Sequence, residues 1–246
     1  VTRHYTQDEP DFMNILIGAG GHARETEWML NSLGLTVDYF VVTDDFRLSP
    51  SLSLVRPVIK MSEVPGRLSG QEDIDVYCAI GDPRIRLELL RQITGLTFQA
   101  GTVIRFPTIN DPANRKPART NIGEGTLINC GTTVTCDIKI GSFAMINRAC
   151  NVSHDCVLGD FVTLGVGVNL SGGVVIEDFA ELGSGVTVIP GKRIGRGAIV
   201  GAGSTVVADI PPLATAVGVP SRVIKTNLLE PDNLVASKIL ERSKRL

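Results

Sequence analysis

Histidine and aromatic side chains are scarce in this sequence: it has three histidines and one tryptophan, and aromatics make up 5% of 246 residues. Chemistry that needs an imidazole must use His4, His22 or His154, and a metal site gathering several histidines has no material to build from. Long apolar runs are missing too, so no stretch approaches the roughly 20 residues that span a bilayer. The start, Val1 to Phe12, is polar and acidic and carries no secretion-signal core. Excess charge of either sign is also absent, with a net charge of −2 and an isoelectric point near 6.0. That balance excludes a chain-wide attraction to nucleic acid or anionic lipid. The expectation is a cytoplasmic protein with neither a nucleic-acid nor a membrane partner.

Cysteine is present without the pattern of a cross-linked domain. Cys78, Cys130, Cys136, Cys150 and Cys156 are odd in number, which argues against a disulfide framework. Spacings of six within the last four suit a tetrahedral metal poorly. We expect free thiols acting as small buried residues, and no metal.

What the sequence does have is a six-residue rhythm. Aliphatic residues recur at every sixth position from Ile122 to Val206, fifteen in all. A period of six fits neither a helix nor a simple strand, so the unit must stack on itself as a hexapeptide β-helix. The pairs Ile122-Gly123, Ile140-Gly141, Leu158-Gly159 and Ile194-Gly195 fall on an eighteen-residue comb, with Ile176-Glu177 as its exception. Three hexapeptides therefore make one triangular coil, and residues eighteen apart become stacked neighbours. Small or β-branched residues two positions before the aliphatic, such as Thr132, Ala144, Cys150, Cys156, Val162 and Ala180, fill the corners.

Ahead of the repeat the chain alternates strand and helix: a strand at 14–17, a helix over 22–33, strands at 37–42 and 75–80, and a helix over 83–94. The expected organisation is a leader over 1–11, a Rossmann-like domain over 12–100, a linker over 101–120, a β-helix over 121–225, and a C-terminal tail over 226–246 containing a short helix. In fold-class terms this is α/β followed by all-β.

Gly18-Ala19-Gly20-Gly21-His22 follows a strand and opens a helix, so free N–H groups and the helix dipole converge on a volume suited to phosphate. A dinucleotide fold would use Asp38 or Asp44 as its ribose acid, but about ninety residues are too few for two mononucleotide halves. A single nucleotide or nucleotide sugar fits better, with Asp44-Asp45 and Gly81 at neighbouring strand ends. Two alternatives stay open: the glycines serve only a tight turn, or His22 only caps the helix.

His154 is the one histidine inside the repeat, two residues after an inward aliphatic, where packing has no need of an imidazole. The eighteen-residue rule stacks it over Cys136 and under Gly172, with empty space expected above the ring. A neutral imidazole there is a natural general base, and Asp155 could raise its basicity. Adjacent residues on a strand face opposite ways, so the pair meets only if a corner bends the chain. Asp137 stacks beneath Asp155 and crowds the column with carboxylates. Alternatives are a solvated surface histidine, or Cys156 as an acylated nucleophile.

The run Asn14 to His22, Ile80-Gly81, the run Ser153 to Asp160, Leu170-Ser171-Gly172-Gly173 and Gly218-Val219-Pro220-Ser221 carry a family likeness. On these motifs the chain resembles the hexapeptide acyltransferases, and more narrowly the sialic acid O-acetyltransferase and nucleotide-amino-sugar N-acetyltransferase family, over roughly residues 13–225. The resemblance implies a left-handed parallel β-helix, a homotrimer with active sites between prisms, and acetyl-CoA lying along the coils. It implies His154 as base with Asp155 as partner, Gly172, Ser184 and Ala202 lining the coenzyme, and Asn147 facing the acceptor. Gly20, Gly21, His22, Asp44, Asp45 and Gly81 would hold the sugar nucleotide, its amine directed at a neighbour's His154. Thr163 stands where some relatives carry a second histidine against the thioester. The implied activity is direct acetyl transfer to the amine of a nucleotide-linked amino sugar. The rivals are O-acetylation of sialic acid or a similar sugar, and a non-catalytic binding trimer.

Overall fold

The computed structural model describes residues 12–47, 56–71, 73–114 and 118–226. The expected leader over 1–11, most of the expected tail and part of the expected linker lie outside the described residues. The described residues fall into two compact units: those within 12–81 and 85–107, and those within 82–84 and 108–226.

In the first unit five parallel strands form one sheet in the order β3-β2-β1-β4-β5. They are β1 (Met13–Ile17), β2 (Tyr39–Val42), β3 (Val58–Lys60), β4 (Asp73–Cys78) and β5 (Val103–Arg105). Ile15, Leu16 and Ile17 are all fully buried, which is why β1 reads as a continuous apolar run: a parallel sheet is covered on both faces. Helix α1 (Gly21–Ser32) buries Ala23, Thr26, Met29 and Leu30 along one stripe. Helices α2 (Val64–Arg67) and α3 (Pro83–Gly95) complete the unit's helices.

Two strands sit inside the stretch expected as a linker. β5 extends the first sheet, and β6 (Ile109–Asn110) pairs with β8 (Leu127–Ile128) of the prism.

The second unit is a left-handed parallel β-helix. Fifteen two-residue strands, β7 (Asn121–Ile122) to β21 (Thr205–Val206), each end on one of the fifteen periodic aliphatics. Each pairs in parallel with a strand eighteen residues away, such as Lys139↔Val157 and Thr163↔Glu181. Ile128, Leu158, Leu164, Leu170, Ile176, Leu182 and Val200 fill the axis, and Thr132, Ala144, Cys150, Cys156, Val162 and Ala180 fill the corners, all at most 2% exposed. At an inter-strand spacing of about 4.8 Å the five coils form a column of roughly 24 Å. The column does not stop at the last aliphatic: β22 (Ala214–Val217) adds a parallel strand, and β23 (Arg222–Thr226) folds back antiparallel on it.

The corners depend on left-handed backbone. Glycine supplies it at most turns, but Asp137, Phe143, Ala149, Asp155, Phe161 and Phe179 adopt φ between 54° and 61°, a region that costs non-glycine residues strain. At one corner, packing offsets that cost. Phe143, Phe161 and Phe179 stack with ring centroids 5.3 and 4.9 Å apart, and the Arg196 guanidinium lies 4.8 Å from the Phe179 centroid.

The isoleucine-glycine comb has its reason at the same corner. A Cβ on Gly141 or Gly159 would collide with the Asp160 or Asp178 carboxylate of the next coil. Those carboxylates accept the N–H of Ser142 at 2.7 Å and of Asp160 at 2.9 Å. Above Glu177 the next coil offers Arg196 in place of an aspartate, so a side chain fits. Glu177 itself accepts the Arg196 N–H at 2.8 Å and pairs with Arg193 at 2.6 Å.

Candidate active site

The bend that the His154–Asp155 pair requires is present. Strand β12 (Asn151–Val152) ends, a turn follows, and Asp155 takes φ 61°. The left-handed residue swings its carboxylate to the same side as the preceding imidazole, and His154 Nδ1 lies 2.7 Å from Asp155 Oδ2. A carboxylate can only accept, so this contact calls for a hydrogen on Nδ1, the tautomer in which Nε2 carries the lone pair. Both side chains are about two-thirds exposed in the single chain.

The space above the ring is not left empty as the stacking rule suggested. The imidazole itself occupies it: a Cβ built on Gly172 would fall 2.6 Å from Cε1 and 2.7 Å from Nε2 of His154. Gly172 is therefore the surface against which the imidazole rests.

The expected crowding of carboxylates is relieved. Asp137, one coil below Asp155, is gripped by Arg119 through Nε–Oδ1 and Nη2–Oδ2 contacts of 2.6 Å each. The Arg119 guanidinium holds the Asp137 carboxyl below the usual carboxylate range, and the Arg119 pKa is raised in return. The residue count did not single out this clamp, although Arg119 stands eighteen before Asp137.

The remaining residues expected around the coenzyme sit elsewhere on the prism. Ser184 and Ala202 share a different corner, both exposed, with Ala202 directly above Gly183. Between that corner and His154 runs one sheet whose outward positions are Thr133, Asn151, Asn169, Thr187 and Thr205. Asn147 precedes the Ser184 corner, and its side-chain amide donates to the Leu164 carbonyl at 2.9 Å. Thr163, on β14 (Thr163–Leu164), belongs to the sheet opposite the His154 corner and is 5% exposed. One prism thus brings together His154, Asp155 and Gly172 but not Thr163, Ser184, Ala202 or Asn147.

In the first unit, Gly20-Gly21-His22, Asp44-Asp45 and Gly81 follow β1, β2 and β4 at the carboxyl edge of the sheet, where a parallel sheet takes ligands. The chain reverses its winding direction between β1 and β4, which places the crevice between the glycine turn and Gly81. Steric need for glycine is confined to Gly18, where φ is +113° and a Cβ would press on Ile80 and the Ala79 carbonyl. Around Gly20 nothing lies within 4 Å of a built Cβ, and at Gly21 only the tip of Arg24 does. The His22 ring approaches Glu25 at 3.6 Å.

Asp44 is engaged, accepting from the Ser62 N–H at 3.2 Å and the Ser62 hydroxyl at 2.8 Å. Lys60 fastens the same loop through the Thr43 and Phe46 carbonyls. Asp45 stays exposed, its pKa lowered chiefly by a hydrogen bond from the Thr43 side chain. Asp38, the other ribose-acid candidate, accepts the Asn14 N–H at 2.8 Å.

Burial pushes the Cys78 thiol up to about 12 and the Cys150 thiol up to about 11, and raises that of Cys156. Cys156 is fully buried with its Sγ 3.3 Å from the Ser171 carbonyl, an inward placement that does not suit an acyl carrier. Among the described residues no three His, Cys, Asp or Glu side chains gather to hold a metal ion, and no helix is long and apolar enough to cross a membrane.

Residues 15–93 match the family described as PglD N-terminal domain. No curated protein sequence matches the chain. Among solved structures, the chain is similar to perosamine N-acetyltransferase from Caulobacter crescentus, determined with CoA and GDP-perosamine. That match has 34% identity and a TM-score of 0.75, covering 87% of this chain and 97% of the other. The acetyltransferase domain of PglB from Neisseria gonorrhoeae, in complex with acetyl coenzyme A, matches at 28% identity and TM-score 0.73 over 87% of this chain and 100% of that one. WeeI from Acinetobacter baumannii matches with the same four values. With a 34% identical acetyltransferase spanned almost end to end, the chain belongs to the nucleotide-amino-sugar acetyltransferase family of hexapeptide-repeat acyltransferases and is an acetyl-CoA-dependent enzyme.

Proposed function

We propose that this protein transfers acetyl from acetyl-CoA to the amine of a nucleotide-linked amino sugar, with His154 as general base. The observation that carries the proposal is the His154–Asp155 pair at 2.7 Å, seated against Gly172 on an otherwise histidine-free prism. Nε2 takes a proton from the sugar amine as its nitrogen attacks the thioester carbonyl. The new C–N bond replaces the C–S bond, and the coenzyme leaves as its thiol. No acyl-enzyme is required, because an amine is a sufficient nucleophile once its proton has an acceptor.

The first unit supplies the nucleotide end. Gly20 and Gly21 carry no side chain although a Cβ would meet no obstruction, and they open a helix with no acidic residue in its first turn. Both facts suit a phosphate approaching the backbone N–H groups. Gly81 flanks the crevice on one side, Asp45 lies one strand beyond the glycine turn on the other, and Asp44 shapes its loop through Ser62.

We also infer a homotrimer. Because Thr163, Ser184 and Ala202 lie away from the His154 corner, a site that draws on all of them takes the base from one prism and the coenzyme-lining residues from a neighbour. Mass spectrometry of acetyl transfer across UDP-, dTDP- and GDP-linked amino sugars and free sialic acid tests the acceptor class. An N-acetylated nucleotide sugar is the expected product. Acetylation of sialic acid alone, or binding of acetyl-CoA with no product from any acceptor, would overturn the proposal.

A further inference from the structure

The Arg119–Asp137 clamp beneath the base has no part in the chemistry described so far. Arg119, Asp137 and Asp155 are spaced by eighteen and share left-handed backbone, with φ of 49°, 57° and 61°. They form one column on the corner that carries His154. The Asp155 N–H donates to the Cys136 carbonyl at 3.3 Å, so the catalytic turn sits directly on the coil that holds Asp137. Neighbouring coils are about 4.8 Å apart, well inside the range at which two carboxylates influence one imidazole.

We propose that Arg119 is a positioning residue for acetyl transfer: by gripping Asp137 with both prongs of its guanidinium, it keeps a second carboxylate from competing with Asp155 for the His154 ring. The inference rests on the reading of His154 as the base. Within one chain the imidazole has charged and titratable neighbours from its own turn and the coil below. Asp155 comes from its own turn, Cys136 and Asp137 from the coil below with Arg119 behind them, and Gly172 and Gly173 from the coil above add no charge. The Asp137 carboxyl is held low chiefly by Arg119, and a charge on His154 would add the smallest share across the coil boundary. A freed Asp137 could draw the ring downward, away from its seat against Gly172, and would strengthen the negative field at Nε2. Arg119 is 71% exposed, and ion pairs that open contribute little to stability, so the variants should stay folded.

The test compares the full chain with Arg119→Gln, Asp137→Asn and the double variant. It uses the pH dependence of kcat/KM with acetyl-CoA and the best nucleotide-sugar acceptor, and NMR titration of the His154 ring, assigned with His154→Asn. Arg119→Gln should move the acidic limb up by about half a pH unit, the effect of one uncompensated charge a coil away in solvent. Asp137→Asn should move it down, and the double variant should return it to the wild-type position. If Arg119→Gln moves neither the limb nor the NMR midpoint, or loses activity that the double variant does not restore, the proposal is overturned and the clamp is a structural tie. If the NMR midpoint shifts as described while the rate profile does not follow, the clamp stands and it is the assignment of His154 as base that fails.

Discussion

Gly172 is where one missing methyl group matters most, because the imidazole of His154 occupies the place of its Cβ. Gly172→Ala should leave the melting temperature nearly unchanged, since the ring it displaces is exposed and can rotate away. Turnover should nonetheless fall about 10²-fold, the scale of a one-ångström misplacement of a reacting group. A variant that keeps full turnover would show that the ring does not need this seat. The sequence made His154 conspicuous through its isolation, and the column rule named Gly172 above it. The rule could not reveal that the ring fills that gap, because a register places backbone and leaves rotamers open. Asp44 and Asp45 were indistinguishable by position alone; only the fold of Lys60–Glu63 onto the loop shows that Asp44 is held by Ser62. The thiols give a second check at this scale. Alkylation of the native protein at pH 8 should reach the half-buried Cys130 and Cys136 before Cys78, Cys150 and Cys156, whose burial keeps them protonated. Early labelling of Cys150 would contradict its placement inside the prism.

At the scale of elements, the repeat was legible strand by strand because each inward aliphatic has one position per face and nothing interrupts the period. The comb exception at Glu177 was visible but unexplained, since its cause is Arg196, nineteen residues on, which presents an N–H and no carboxylate. In the first unit β1, β2, β4, α1 and α3 were placed to within a few residues, and the one-turn helix α2 was not read. β3 and β5 were not read at all. Each is three residues long, and β5 lies between Gly101 and Pro107, so its strand character comes from pairing with β4 and from the Arg105–Asp75 bond at 2.7 Å. The Phe143–Phe161–Phe179 stack makes its own prediction. Phe161 is fully buried between two rings, and Phe161→Ala should lower unfolding free energy by about 3–5 kcal/mol, read from denaturant midpoints. A loss under about 1 kcal/mol would mean that the corner is held by its backbone ladder alone.

At the scale of the whole molecule, the proposed function divides the work: the sheet edge of the first unit would recognise the nucleotide sugar and the prism with one imidazole would move the acetyl group. The sequence carried this division because the glycine turn and the hexapeptide period are local patterns. The eighteen-residue rule already puts Ser184 and Ala202 in a different column from His154 and leaves Gly172 above it, but it could not show the path between those corners, the sheet of Thr133, Asn151, Asn169, Thr187 and Thr205. The most direct test is steady-state turnover of His154→Asn on the best nucleotide amino sugar, with acetyl-CoA affinity and oligomeric state measured on the same sample. Turnover should drop by about 10²-fold or more, as expected for a lost general base, with coenzyme affinity and assembly unchanged. Wild-type turnover in that variant would contradict the assignment of His154 and, with it, the chemistry proposed for this corner of the prism.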